Sequence, residues 1–137
     1  MQCARRLDLI KKMRELKWNE YDFVECLGVL SSFDEDSVLY TFKTEKDGLV
    51  LEIVICHYES FVEVLLFQKD DTEPFLRISF LVRNEVRFVN EKNSAYLEFS
   101  DCVFSNFYDD EIFDKNKYPS YSIFEIHTFP KFQLKFF

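Results

Sequence analysis

Residues Gly48–Phe67, GLVLEIVICHYESFVEVLLF, decide the fold. They read as two strands joined by a turn near His57–Ser60. On the first strand Leu49, Leu51, Ile53 and Ile55 share one face; Val50, Val54 and Cys56 share the other, with Glu52 the single charge. On the second, Phe61, Leu65 and Phe67 lie on one side and Val62, Val64 and Leu66 on the other. A strand with one wet face alternates apolar and polar residues, whereas a strand covered on both faces reads as a near-continuous apolar run. The pair is therefore expected in the middle of a sheet, with cover on both sides.

Working outward, Lys46-Asp47-Gly48 is a tight-turn signal, because Asp-Gly tolerates positive φ, and Val38–Thr44 before it reads as a strand. SSFDEDS is a polar break. Upstream, Ala4–Leu16 has the stripe Leu9, Ile10, Met13 and Leu16 of an amphipathic helix, with Arg5 and Lys12 on its basic, solvated face. Asn19 is placed to cap a second helix over Tyr21–Leu30, carrying Phe23, Leu27 and Leu30 on one stripe, although a strand competes for FVECLGVL. Downstream, Phe75–Val82, Val86–Val89, Tyr96–Phe104, Tyr121–Thr128 and Lys131–Phe137 read as strands. On Tyr96–Phe104 the charge of Asp101 falls on the apolar parity of Leu97, Phe99 and Val103, and a bulge near Ser100 would resolve it. The last strand is expected to turn Phe132, Leu134 and Phe136 inward.

Short turns between strands imply antiparallel neighbours. The expected fold is α+β: an N-terminal helix or two helices packed on a curved, mainly antiparallel, half-barrel-like sheet of about seven to nine strands. The 137 residues are expected to form a single domain over 1–137, burying roughly two-thirds of the unfolded surface. With 17 Phe, 7 Tyr and 1 Trp, the core is aromatic.

The formal charge is −8, from 25 acidic and 17 basic residues. Nucleic acid and anionic membranes are polyanions and repel such a surface, whereas a basic partner is drawn to it. No stretch is long and apolar enough to span a membrane, and the start MQCARRLDLIKKM lacks the apolar run of a signal peptide. Cys3, Cys26, Cys56 and Cys102 show no close spacing and read as free thiols of a reducing, cytoplasmic compartment.

Catalytic signatures are missing. The two glycines, Gly28 and Gly48, lie too far apart for a P-loop and are too few for a dinucleotide fingerprint. His57 and His127 have no spacing that makes them an acid–base pair. Asp109, Asp110, Asp114 and Asn116 crowd one segment, but DKNKYP lacks the glycine of a calcium loop. No metal or cofactor is expected. The remaining candidates are acidic loops: Tyr108, Asp109, Asp110, Glu111, Phe113 and Asp114 in one, Asp70, Asp71 and Glu73 in another, and Asp34, Glu35 and Asp36 in a third. Aromatics flanked by carboxylates suit a basic protein partner, with rings in the dry centre and charges steering. Competing readings are a ligand-binding or enzymatic β-fold with an apolar cavity, and a subunit pairing through its last strand.

The run from Pro74 to Tyr118 contains PFLRISFLVR, VRFVN, YLEFSDC and FYDDEIFDKNKY. In these pieces it resembles the immunity proteins of bacterial contact-dependent growth inhibition systems. The resemblance implies a non-enzymatic protein that binds the C-terminal toxin domain delivered by a neighbouring cell and neutralises it in the cytoplasm, as a monomer in a 1:1 complex. It implies a basic toxin, a nuclease with ribonuclease favoured. Such proteins diverge most where they bind toxin, so the partner-binding residues named above rest on charge and aromatic content alone.

Overall fold

The computed structural model describes residues 15–104 and 122–137. Only Glu15 and Leu16 of the expected first helix are among them, and Leu16 is buried outside any helix. Asn19 holds the chain extended, and its Oδ1 accepts the amide hydrogen of Tyr21 at 2.9 Å. This satisfies a donor that a helix start leaves orphaned, and Glu20 and Asp22 add negative charge at the same end. Helix α1, Glu20–Leu27, stops where Gly28 turns left-handed (φ 73°) and its amide bonds back to Val24 at 2.8 Å. The stripe expected through Leu30 thus ends at Leu27; Leu30 is 81% exposed.

Among the described residues nine strands follow: β1 (Ser32–Asp34), β2 (Leu39–Lys46), β3 (Leu49–Cys56), β4 (Phe61–Gln68), β5 (Leu76–Val82), β6 (Val86–Glu91), β7 (Ser94–Val103), β8 (Ser122–Phe129) and β9 (Gln133–Phe136). All pair antiparallel in the order β1-β2-β3-β4-β5-β7-β8-β9, with β6 also on β7. The sheet is open, so the α+β reading holds and no barrel closes. Asp47 and Gly48 both take positive φ, the geometry of a two-residue hairpin turn. A 3-10 turn over His57–Glu59, ended by Ser60 at φ 53°, joins the central pair β3–β4. The register slips between Ser100 and Cys102, where Asp101 takes φ 59°. That bulge lets Leu97, Phe99 and Cys102 all face inward, and Arg83 meets the displaced Asp101 at 2.7 Å.

β5 joins β7 through two residue pairs only, Leu81↔Val103 and Val82↔Cys102. The sheet therefore has two wings, β1–β5 and β6–β9, with α1 packed on β2, β6 and β7 across the inner face. Phenyl rings tie the wings together. Phe23 of α1 stacks on Phe42 at 5.0 Å and meets Phe99 edge-on at 6.1 Å; Phe80 meets Phe99 at 5.3 Å and Phe124 at 5.1 Å. All five are fully buried. Phe136 contacts Phe124 at 4.8 Å yet is 55% exposed, so of the three residues expected inward on the last strand only Phe132 and Leu134 are half-buried against the core.

The central hairpin lies mid-sheet as expected, but the expected two-sided cover is not complete. Leu51, Ile53, Ile55, Val62, Val64 and Leu66 are buried on the inner face, whereas Val50, Val54, Phe61 and Phe67 stay half-exposed on the outer one. Period-two hydrophobicity reads which residues are apolar, not whether a covering layer exists.

The thiol reading is also corrected. Cys56 is disulfide-bonded; sequence spacing carries no information on which thiols a fold brings together. The Cys56 residue has zero exposure, which shields its sulfur from attack by an exchanging thiolate. Among the described residues Cys26 and Cys102 carry reduced thiols, and burial pushes them up to about 11 and about 12, leaving them unreactive.

Ahead of α1, residues 16–18 strap the wings. The Leu16 amide donates to the His57 carbonyl at 2.8 Å, and the Val86 amide to the Lys17 carbonyl at 2.9 Å. The Trp18 indole N–H donates to His57 Nδ1 at 2.9 Å, so the other ring nitrogen carries the proton and faces Glu15 at 3.8 Å.

Two outcomes follow from this packing. Ile53→Ala or Phe80→Ala removes a fully buried side chain and is expected to cost about 2–5 kcal/mol in urea denaturation; a loss below about 1 kcal/mol would contradict the packing described. His57 is held below its ordinary value, mainly by burial and partly offset by Glu15. The unfolded chain therefore takes up a proton more readily, and this contribution to stability, present above about pH 6.5, is lost as pH falls through the lowered folded value. Native protein should lose more urea resistance on acidification from about pH 7.5 to about pH 5.5 than His57→Asn does. Equal losses would remove His57 from the balance.

Candidate functional site

Antiparallel register places the outward side chains of β2–β5 in rows. One row is Glu45–Val50–Phe67; the next is Lys43–Glu52–Leu65–Arg77; a third is Thr41–Val54–Glu63–Ser79. The β4–β5 loop rises beside the first row. Asp70 opens it in a left-handed conformation (φ 71°), the Asp71 amide bonds to the Gln68 carbonyl at 3.1 Å, and the Lys69 amide bonds to the Gly48 carbonyl at 2.9 Å. Loop and sheet enclose a groove of about 560 Å³, with Val50 and Phe67 in its floor, Glu45, Glu52, Lys43 and Lys69 beside them, and Asp70, Asp71 and Thr72 along the rim. Asp70, Asp71 and Glu73 are all exposed.

Charge on this face is unevenly satisfied. Lys69 pairs with Glu45 at 3.3 Å, both about half-exposed. Arg77 pairs with Glu63 at 3.4 Å, and the Ser79 hydroxyl donates to the same carboxylate at 3.2 Å. Among the described residues no cation stands at ion-pair distance from Glu52, Asp70 or Asp71. Exposed pairs such as Lys69–Glu45 contribute little and exchange readily.

The other wing is arranged differently. On the outer face of β6–β8, Arg87 bonds Glu98 at 2.7 Å, and His127 Nε2 lies 2.7 Å from Glu125. The His127 ring stacks on Tyr96 at 4.4 Å. Burial pushes the Tyr96 hydroxyl up, with Glu125, Glu91 and Glu98 adding to it, and the hydrogen bond to Glu98 holds Arg87 protonated more firmly. These groups satisfy one another. His57 and His127 are each engaged locally, with Trp18 and Glu125, and make no acid–base pair.

A second cleft, of about 540 Å³, opens between the end of α1, β6–β7 and the β8–β9 turn. Lys46 spans it, donating to the Thr128 carbonyl at 2.7 Å with its ammonium 5.5 Å from the Phe129 ring centre. Thr128 and Cys26 close its base, the threonine hydroxyl donating to the Cys26 carbonyl at 2.9 Å. Among the described residues the inner face of the sheet is packed with buried phenyl rings.

Of the expected binding residues, the structure places Asp70, Asp71 and Glu73 together on one exposed loop. Tyr108, Asp109, Asp110, Glu111, Phe113 and Asp114 lie outside the described residues, as does the metal reading of that segment. Asp34 works for its own turn: its Oδ1 accepts the Asp36 amide at 2.9 Å, and hydrogen bonds, the Ser37 side chain first, hold its carboxyl below the usual range. Glu45, Glu52 and Phe67 were missed as groove residues. The signal for Glu52 was there, as the lone charge in an apolar strand. Among the described residues no set of three or more His, Cys, Asp or Glu is placed to hold a metal ion, and no helix is long and apolar enough to cross a membrane.

No protein-family model matches the chain. No curated protein matches it either. Among solved structures, the chain has the fold of a chain in a contact-dependent growth inhibition toxin–immunity protein complex from Klebsiella pneumoniae 342, with a TM-score of 0.64 and 13% identity, over 91% of this chain and 98% of that one.

Proposed function

We propose that this chain is an immunity protein: a binding protein, not an enzyme, that neutralises the C-terminal domain of a cognate toxin in the cytoplasm as a monomer in a 1:1 complex. The observation that carries the reading is the shared fold with a chain of a toxin–immunity complex over nearly the whole length of both. Two further facts support it. The charge of −8 favours a basic partner. The outer face of the sheet offers half-exposed apolar side chains beside carboxylates without cations, whereas the buried polar groups of the other wing are spent on one another.

In this reading the toxin is a nuclease, with ribonuclease favoured, because an enzyme that holds a polyanion carries a basic cleft. The carboxylates of the 108–114 segment and of Asp70, Asp71 and Glu73 stand where that cleft expects phosphates. Tyr108 or Phe113 packs between the paired charges. Neutralisation is then steric and electrostatic, with no bond made or broken.

The test uses the protein encoded immediately upstream as partner. Asp109→Lys combined with Asp110→Lys should weaken binding at least tenfold, about 1.4 kcal/mol, flatten the fall of affinity with added salt because less attraction is left to screen, and abolish growth protection while the urea midpoint stays unchanged. Full affinity and full protection in the double variant would place the interface away from that segment.

A further inference from the structure

The outer groove of β2–β4 holds one carboxylate whose surroundings call for a charge from outside the chain. Glu52 sits on β3, in the middle of the sheet, half-buried, with Leu65 beside it on β4 and Val50 and Val54 before and after it on the same face. Its neighbours in the adjoining rows are each paired, Glu45 with Lys69 and Glu63 with Arg77. Glu52 has no such partner among the described residues. Lys43, its register partner on β2, is exposed and makes no ion pair with it.

We propose that this groove receives an arginine or lysine side chain of a basic protein partner, with Glu52 as its counter-charge. The proposal rests on the toxin-binding reading above and names which feature of the partner the sheet recognises. A long cationic side chain lays its methylenes on apolar surface and keeps its head at the polar end. Val50 and Phe67 provide that apolar surface in the floor. Asp70 and Asp71 on the rim hold the entrance negative and guide the approaching charge. Burying the ion pair leaves neither charge alone in the low-dielectric floor, the condition under which such a pair favours binding. The volume of about 560 Å³ accommodates one such side chain with the backbone that carries it. A nucleic acid is disfavoured, since Glu52, Asp70 and Asp71 outnumber Lys43, the unpaired cation among the described lining residues, and would meet phosphate.

The experiment measures association and dissociation rates of the toxin domain encoded upstream with the native chain, Glu52→Gln and Glu91→Gln. Both variants change the net charge equally, but Glu91 lies on β6 in the other wing. Glu52→Gln should weaken binding at least tenfold, mainly through faster dissociation, and Glu91→Gln should stay within twofold. Asp71→Lys, at an exposed rim position, carries the test if Glu52→Gln does not fold, with a loss of at least tenfold expected, mainly in the association rate. A native chain that binds tightly, with Glu52→Gln (or Asp71→Lys in its place) equal to it, overturns the groove and leaves the toxin-binding reading standing. A native chain that does not bind overturns both.

Discussion

The structure depends on a run of buried phenyl rings that crosses the weakest place in its sheet. Two residue pairs join β5 to β7, and beyond them the Arg83, Asn84 and Ser100 amides add backbone bonds to Asp101, Ser100 and Glu85, a short seam that side-chain packing reinforces. Phe42, Phe23, Phe99, Phe80 and Phe124 form a continuous chain of ring contacts from β2 through α1 to β8. Edge-on and stacked aromatic pairs add about 0.5–1.5 kcal/mol each beyond their area burial. Among the described residues, helix α1 packs on β2, β6 and β7 across the inner face of this open sheet. Trp18 extends the same chain, meeting Phe23 at 5.2 Å and Tyr40 at 5.0 Å, and its indole ties the strap to the β3–β4 turn.

A filled interior decides where function can lie. With the inner face packed by phenyls and α1, binding falls to the outer face, the rim cleft and the loops. The outer face is itself divided. On the β6–β9 wing, charged and aromatic groups pair with one another; on the β1–β5 wing they leave Glu52, Asp70 and Asp71 to solvent. A sheet that presents unpaired carboxylates over a half-apolar floor is suited to recognising a basic protein surface.

Much of this was legible from residue pattern, for identifiable reasons. Asp47-Gly48 announced its turn because only residues that tolerate positive φ fit a two-residue hairpin there. Asn19 announced the helix start, and the misplaced parity of Asp101 announced the bulge that the register slip bears out. What stayed hidden was relational. Leu30 fits the helical stripe, yet Gly28 ends the helix before it. Val50 and Phe67 are as apolar as Leu51 and Leu66, and only tertiary placement leaves them half-exposed. Cys56 carries no local mark of being disulfide-bonded. The groove itself joins β2, β3, β4 and a loop, so no contiguous stretch encodes it; Asp70 and Asp71 were found by charge, whereas Glu45 and Phe67 needed the register.

The central claim is that this chain works by placing carboxylates of its outer face and loops against the basic surface of a toxin domain. A crystal structure of the complex with the domain encoded upstream tests it most directly. The account predicts lysine or arginine side chains of the partner within about 4 Å of Glu52, Asp70 or Asp71, with the outer face of β2–β4 removed from solvent. A partner seated instead on the cleft between α1, β6 and β8, with Glu52 and the β4–β5 loop still wet, would contradict it.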